Sequence, residues 1–316
     1  MNTPAPAVVA NDLSHRFTIG SSSRQALIGV SFSVNPGEMV ALLGPNGSGK
    51  TTLFRILATL LSPSSGDALV FGRSVAREPA AARCMMGVGF QQPSLDMQLT
   101  VMENLRHHGR LHGLRGGDLA SRCRDATATL GVADRAHDRV ASLSGGLRRR
   151  AELAKCLVHR PALLLLDEPS TGLDPNARRE FMSHLADLRR RDGLTVLMTT
   201  HLMDEAERCD RVGILHEGRL AAFGEPARLK SQVGGDVVVV GCRDPARLRP
   251  QLGSRFGVDP TIVNGSLRLR RPGGHRLVEE LVEAFPSEIT SVTWGQPTLE
   301  DLFVQLTGRS FEAGNT

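Results

Sequence analysis

Three short stretches of the chain are apolar almost throughout: Met39–Leu43, Ala162–Leu166 and Thr195–Met198. None alternates apolar with polar positions, so each reads as a strand buried on both faces, as in a parallel sheet. Amphipathic stretches separate them. The segment KTTLFRILATLL leaves the first strand with helical spacing, helical spacing dominates from Leu99 to about Ser142, and another helix starting near Gly145 carries Leu153, Ala154, Leu157 and Val158. Strands alternating with helices predict an α/β fold. The pattern breaks at residues 232–236, within SQVGGD, which marks a domain boundary. Beyond it stand a valine run at Val237–Val240, a helix near Pro245–Phe256, a hairpin through Asn264 and Gly265, a helix near Leu277–Phe285 and a strand around Ile289–Trp294. These describe a small α+β appendage without a catalytic constellation.

Composition narrows the class. With 316 residues, 41% hydrophobic and 22% charged, the chain suits an ordinary globular protein of about two domains. No apolar run approaches the ~18 residues that span a bilayer, so a role at a membrane needs a partner. The opening MNTPAPAVVAND lacks a basic region followed by an apolar stretch, and a cytoplasmic site is expected. The five cysteines are widely spaced singles, as expected of reduced thiols. A net charge of +5 permits weak attraction to anionic surfaces but identifies no nucleic-acid partner.

The chemistry sits at the ends of the apolar strands. After Met39–Leu43 comes GPNGSGKTT, residues Gly44, Pro45, Asn46, Gly47, Ser48, Gly49, Lys50, Thr51 and Thr52, which matches the P-loop pattern with a strand before it and a helix after it. Backbone N–H groups of residues 46–51 suit a β-phosphate, Lys50 reaches the β- and γ-phosphates, and the Thr51 hydroxyl suits Mg²⁺. The second strand ends in Asp167, a Mg²⁺ ligand, and Glu168, placed to orient or deprotonate an attacking water. The third runs into His201, a γ-phosphate contact. Separately, Ser144, Gly145 and Gly146 open a helix with an N-cap and exposed N–H groups, an arrangement that favours an anion.

Taken in this order, the motifs over about Val8–Ser231 resemble those of the ATP-binding cassette (ABC) family. The resemblance implies a P-loop NTPase fold: a mixed, largely parallel sheet core, an N-terminal antiparallel β subdomain, and a helical subdomain at about 99–142. It implies an ATP-binding domain over 8–233 and an accessory domain over 236–308, flanked by tails at 1–7 and 309–316. Gly44–Thr51 then corresponds to Walker A, Leu163–Asp167 to the Walker B strand and Glu168 to the catalytic glutamate. Gln91 corresponds to the Q-loop glutamine and a Mg²⁺ ligand, in preference to Gln92, with Thr100 nine residues on. Asp174 falls in the D-loop, His201 is the switch histidine, and Phe17 stands where an aromatic stacks on adenine. Ser144–Gly146 is the signature, which in this family caps the γ-phosphate bound by a second, facing cassette. Leu147 replaces the usual glutamine, so ribose contact from that position is lost, while capping by hydroxyl, N–H groups and dipole survives. Together with the ending PTLEDLFVQLTGR, an apolar residue there resembles exporter cassettes of the daunorubicin-resistance and nodulation-factor groups.

The implied protein is an ATPase using ATP and Mg²⁺, paired with a second cassette and with a polytopic permease on the cytoplasmic face of a membrane. A cytoplasmic helix of that permease would dock near Gln91, with Pro93 and Leu95 offering apolar contact. A cassette acting on nucleic acid or ribosomes is the competing reading, but the chain has one cassette and no heptads, and no nucleic acid is expected. A non-hydrolysing module is disfavoured by Glu168 and His201. Two further clusters remain. Arg148, Arg149 and Arg150 point about 100° apart on a helix, so they read as a solvated face with one member near the phosphate field. His107, His108 and His112 include an i, i+4 pair with zinc-binding spacing, but no nearby third ligand is evident and a metal site is not expected there.

Overall fold

The computed structural model describes residues 5–20, 22–92 and 94–311. Chain order runs β1 (Val8–Ile19), β2 (Ser22–Val34), β3 (Met39–Leu43), α1 (Lys50–Leu57), β4 (Ser65–Val70), β5 (Arg73–Ser74), α2 (Pro79–Met85), β6 (Met86–Gly89), α3 (Val101–Leu111), α4 (Gly116–Thr129), α5 (Gly145–Leu157), β7 (Leu163–Asp167), α6 (Pro175–Asp192), β8 (Thr195–Thr200), α7 (Met203–Ala206), β9 (Arg211–His216) and β10 (Arg219–Gly224). After these come α8 (Pro226–Ser231), β11 (Asp236–Cys242), α9 (Pro245–Phe256), β12 (Thr261–Val263), β13 (Ser266–Arg271), α10 (Gly274–Ala284), β14 (Ile289–Gly295) and α11 (Leu299–Thr307). Two compact units result, Met1–Leu220 and Ala221–Thr316, and α8 packs on α11 within the second.

In the first unit every residue of β3, β7 and β8 is buried, which the unbroken apolar runs require. They lie inside a six-stranded sheet ordered β10-β9-β3-β8-β7-β6, with β6, β7, β8, β3 and β9 mutually parallel at each observed pairing. The register sets Leu43 beside Thr200, Asp167 beside Thr199 and Gly89 beside Leu166. Parallel strands bring their carboxyl ends to one edge, where ligands bind in open α/β sheets. A second, four-stranded sheet ordered β2-β1-β4-β5 is antiparallel and carries Phe17 on β1. Helices α3, α4 and α5 pack on one another.

The second unit follows the order β-α-β-β-α-β from β11 to β14, with an antiparallel sheet ordered β12-β13-β11-β14. Its core gathers Val238, Val240, Leu248, Leu252, Leu267, Leu269, Leu277, Leu281 and Phe285 from the strands and from α9 and α10. The hairpin between β12 and β13 turns through Asn264 and Gly265, both at positive φ, the conformation that an Asn-Gly turn favours. The ending PTLEDLFVQLTGR forms α11, with a capping box between Thr298 and Asp301.

Candidate functional site

Backbone geometry makes the phosphate loop. Gly49, the N-cap of α1, holds φ at 107°, and a Cβ there would lie 2.7 Å from the Ala26 carbonyl oxygen, so only glycine fits. At Gly44 a Cβ would come within 2.5 Å of the Leu215 carbonyl oxygen, so β9 closes on the loop from behind. Lys50 is buried, and its Nζ donates to the carbonyls of Gly44 at 2.6 Å and Pro45 at 3.1 Å, with Glu168 Oε1 at 3.4 Å. Burial lowers its ammonium below the ordinary value, against the pull of Glu168. The Ser48 hydroxyl is buried without a protein partner.

Where β7 ends, the two acids take different environments. Asp167 is buried and accepts the Thr199 hydroxyl at 2.5 Å. Burial pushes its carboxyl up, and Glu168 beside it pushes the same way. Glu168 stands on a backbone bend with φ 44°, fixed by its N–H donating to the Thr199 hydroxyl at 2.9 Å and the Thr199 carbonyl at 3.2 Å. His201 Nδ1 donates to Glu168 Oε2 at 3.0 Å, since an ionised carboxylate can only accept. That hydrogen bond holds the Glu168 carboxyl below its ordinary range despite burial, with Lys50 adding to it. Glu168 is therefore an anion clasped between a lysine and a histidine.

A cleft of about 250 Å³ is lined by Phe17, Asn46, Gly47, Gly49, Lys50, Thr51, Thr52, Gln91 and Glu168, with Arg24 and Ala26. Strands β1 and β2 of the antiparallel sheet thus meet the segments that follow β3, β6 and β7 there. Phe17 is 36% exposed, its edge against His15 at 4.5 Å between ring centres. Gln91 faces the cleft, whereas Gln92 is not part of its lining. Ser144 lies elsewhere, in a second cleft of about 450 Å³ with Gly145, Gly146, Leu147 and Asp174. The two linings share no residue. Ser144 caps α5 by accepting the Leu147 N–H at 3.3 Å, and Asp174 caps α6 by accepting from Asn176 at 2.9 Å and Ala177 at 3.0 Å. Thr100 caps α3 in a reciprocal box with Glu103.

Three expectations need correction, and two residues, Glu205 and His159, are new. Arg149 does not belong to a solvated face. It is buried, donates from Nε to the Pro169 carbonyl and from Nη1 to the Phe90 carbonyl at 2.9 Å, and so joins the strand end before Gln91 to the segment after Glu168. Glu205, also buried, accepts from the Ser170 and Thr200 hydroxyls and ties the segment after Glu168 to the end of β8. Leu95 does not offer a surface. It is 6% exposed, because Asp96 beside it is pinned to α3 by paired hydrogen bonds with Asn104 at 2.8 and 3.0 Å. Pro93 lies outside the described residues. Among the described residues of this segment, Met97 is the exposed large apolar side chain. Finally, the His108–His112 pair does have a third neighbour, His159, which follows α5.

The ABC transporter family model matches residues 27–171. A Nod factor export ATP-binding protein of Paraburkholderia xenovorans is 38% identical over 295 residues, covering 90% of this chain and 92% of the relative. A daunorubicin resistance ATP-binding protein of Streptomyces coeruleorubidus is 37% identical over 292 residues, covering 90% of this chain and 92% of the relative. Among solved structures, the dimeric post-hydrolysis state of an ATP-binding cassette bound to ADP and Pi aligns with a TM-score of 0.64 at 26% identity, over 69% of this chain and 98% of that one.

Proposed function

This chain belongs to the ATP-binding cassette family of ABC transporter ATPases, and we propose that it drives an exporter, working as two facing copies on a separate polytopic permease. The observation that carries the reading is the setting of Glu168, ionised between Lys50 and His201 in the cleft that also presents the phosphate loop, Gln91 and Phe17. Adenine would stack on Phe17 and the phosphates would lie on the N–H groups of residues 46–51. The oxygens of Thr51, Gln91 and Asp167 would hold Mg²⁺. They fit a hard divalent cation, and Asp167, buried beside a second carboxylate, is the kind of anion that such a charge relieves. Bound there, Mg²⁺ would offset charge developing on the transferred phosphoryl group.

The protein's own groups then divide the work. Glu168 takes the proton of the attacking water, His201 holds Glu168 ionised and in place, and Lys50 meets the phosphate oxygens. Ser144, Gly145 and Gly146 offer a capped helix start to the γ-phosphate of the other copy, with Asp174 beside it, and Leu147 contributes packing only. The ATP-binding domain is taken as 8–233, with its helical part at about 99–142, and the accessory domain as 236–308. The export direction is supported by relatives named for Nod factor export and daunorubicin resistance. No helix among the described residues is long and apolar enough to cross a membrane, so the proposed site of action, the cytoplasmic membrane face, depends on the permease.

Gentle extraction from native membranes tests the whole reading. The chain is expected to co-purify with a polytopic protein lacking ATPase motifs, and Met97→Glu, near Gln91, to release that partner while ATP affinity stays within about twofold. Recovery with DNA or RNA, lost steeply as salt rises, and without a membrane protein would overturn the transporter assignment.

A further inference from the structure

His108 in the last turn of α3 and His112, its C-cap residue, stand one turn apart, and His159 reaches them from the segment between α5 and β7. The ring centres of His108 lie 4.7 Å from those of His112 and 5.6 Å from those of His159, and His112 stacks on His159 at 3.8 Å. One ring nitrogen from each falls within 4.8 Å of the other two. His159 Nε2 faces the Met86 carbonyl oxygen at 3.0 Å, and a carbonyl only accepts, so Nε2 carries the hydrogen and Nδ1 carries the lone pair. That Nδ1 is buried and has no hydrogen-bond partner, and neither does the buried His108 Nε2. A ring whose far nitrogen donates to a backbone carbonyl is the usual second-sphere support of a metal-bound histidine.

We propose that His108, His112 and His159 form a binding site for a borderline divalent transition metal of the zinc type, with the fourth position open to water on the exposed His112 side. The chemistry of the cluster selects the class of ion. Three neutral nitrogens without a carboxylate suit zinc, copper or nickel and not magnesium or calcium. Burial lowers the proton affinity of all three rings, to about 3 at His108 and about 4 at His159. Lys155 near His108 and Arg122 near His159 add to the depression.

Binding asks for a small, local movement. Zinc–nitrogen bonds of about 2.0–2.1 Å in a tetrahedron set the nitrogens about 3.4 Å apart, so no pair in the cluster need close by more than about 1.4 Å. The metal must also lie in the plane of each ring, which the stacked pair does not allow. Rotation of exposed His112 off His159 supplies both changes. Once bound, the ion ties the end of α3 to the segment that joins α5 to β7, so it fastens helices that flank Gln91 and Ser144 to the strand that ends in Asp167.

Untagged full-length chain, stripped with chelator and free of nucleotide, is titrated with Zn²⁺ by calorimetry and with Co²⁺ by visible absorption. One equivalent of zinc per chain and cobalt bands of low coordination number are expected. His159→Ala and His112→Ala should each weaken zinc at least as much as the roughly 10- to 100-fold that losing an outer-shell partner costs. His107→Ala, next in sequence but outside the cluster, should bind as the parent does. Unchanged zinc affinity in His112→Ala, whose exposed side chain leaves folding intact, or an equal loss in His107→Ala, overturns the site.

Discussion

At the scale of single residues, Glu168 concentrates the argument. A non-glycine residue at φ 44° costs on the order of 1 kcal/mol, and two hydrogen bonds from its N–H to Thr199 hold it there. The bend points the carboxylate at both Lys50 and His201. Glu168→Gln keeps the shape and removes the proposed base, so ATP binding should persist while hydrolysis falls about 10²- to 10⁴-fold, or about 3–5 kcal/mol of barrier. Single-turnover ATPase beside equilibrium nucleotide binding checks this, and near-normal turnover would remove Glu168 from the role. Lys50→Ala should instead weaken ATP binding itself, because a charge-assisted phosphate contact is lost. These residues were legible in the sequence because each follows its strand or loop at a fixed local offset. Arg149, Glu205 and His159 were not, since their roles come from Phe90, Pro169, Ser170, Thr200 and the end of α3, partners that only the tertiary fold supplies.

Among the elements, α5 links the two clefts. Its first turn carries the Ser144 cap. Further along, Glu152 accepts the Ser94 N–H and hydroxyl at 3.0 and 2.8 Å, with Lys155 on the same hydroxyl, so the segment after Gln91 is fastened to α5. Ser144→Arg should spoil the cap offered to a facing copy and leave its own phosphate loop intact. Mixed with Lys50→Ala chain, it should form some pairs with one complete composite site and recover part of the ATPase activity that each variant lacks alone. A mixture as inactive as its parents, with heterodimers confirmed by mass, would count against the facing arrangement. The strands β3, β7 and β8 could be read from the sequence because their burial on both faces leaves no alternation to misread. Leu95 was misread for the opposite reason: an apolar residue in a polar loop is equally compatible with a surface contact and with the core, and the Asp96–Asn104 hydrogen bonds decide for the core.

Across the whole molecule, the chain divides into two compact units, 1–220 and 221–316. The second unit's β-α-β-β-α-β order was visible in the sequence as a valine run, an Asn-Gly hairpin and two amphipathic helices. Its last helix, α11, starts at a capping box that Thr298 and Asp301 spell in the sequence. Leu269, fully buried in this core, should cost about 2–5 kcal/mol when changed to alanine. Limited proteolysis should then cut first within 221–316, while ATP affinity, set by the cleft in the first unit, stays at the parental value. A parallel loss of nucleotide binding would show that the second unit supports the site.

The two clefts that share no residue have a consequence for dosage. On the proposed pairing, a lone copy holds two half-sites and no complete one, so dilute chain is idle by construction and spends no fuel. Hydrolysis per molecule should climb with concentration until pairing saturates. Crowding two copies onto one permease would act as a local concentrator, confining ATP consumption to the place where it can move cargo.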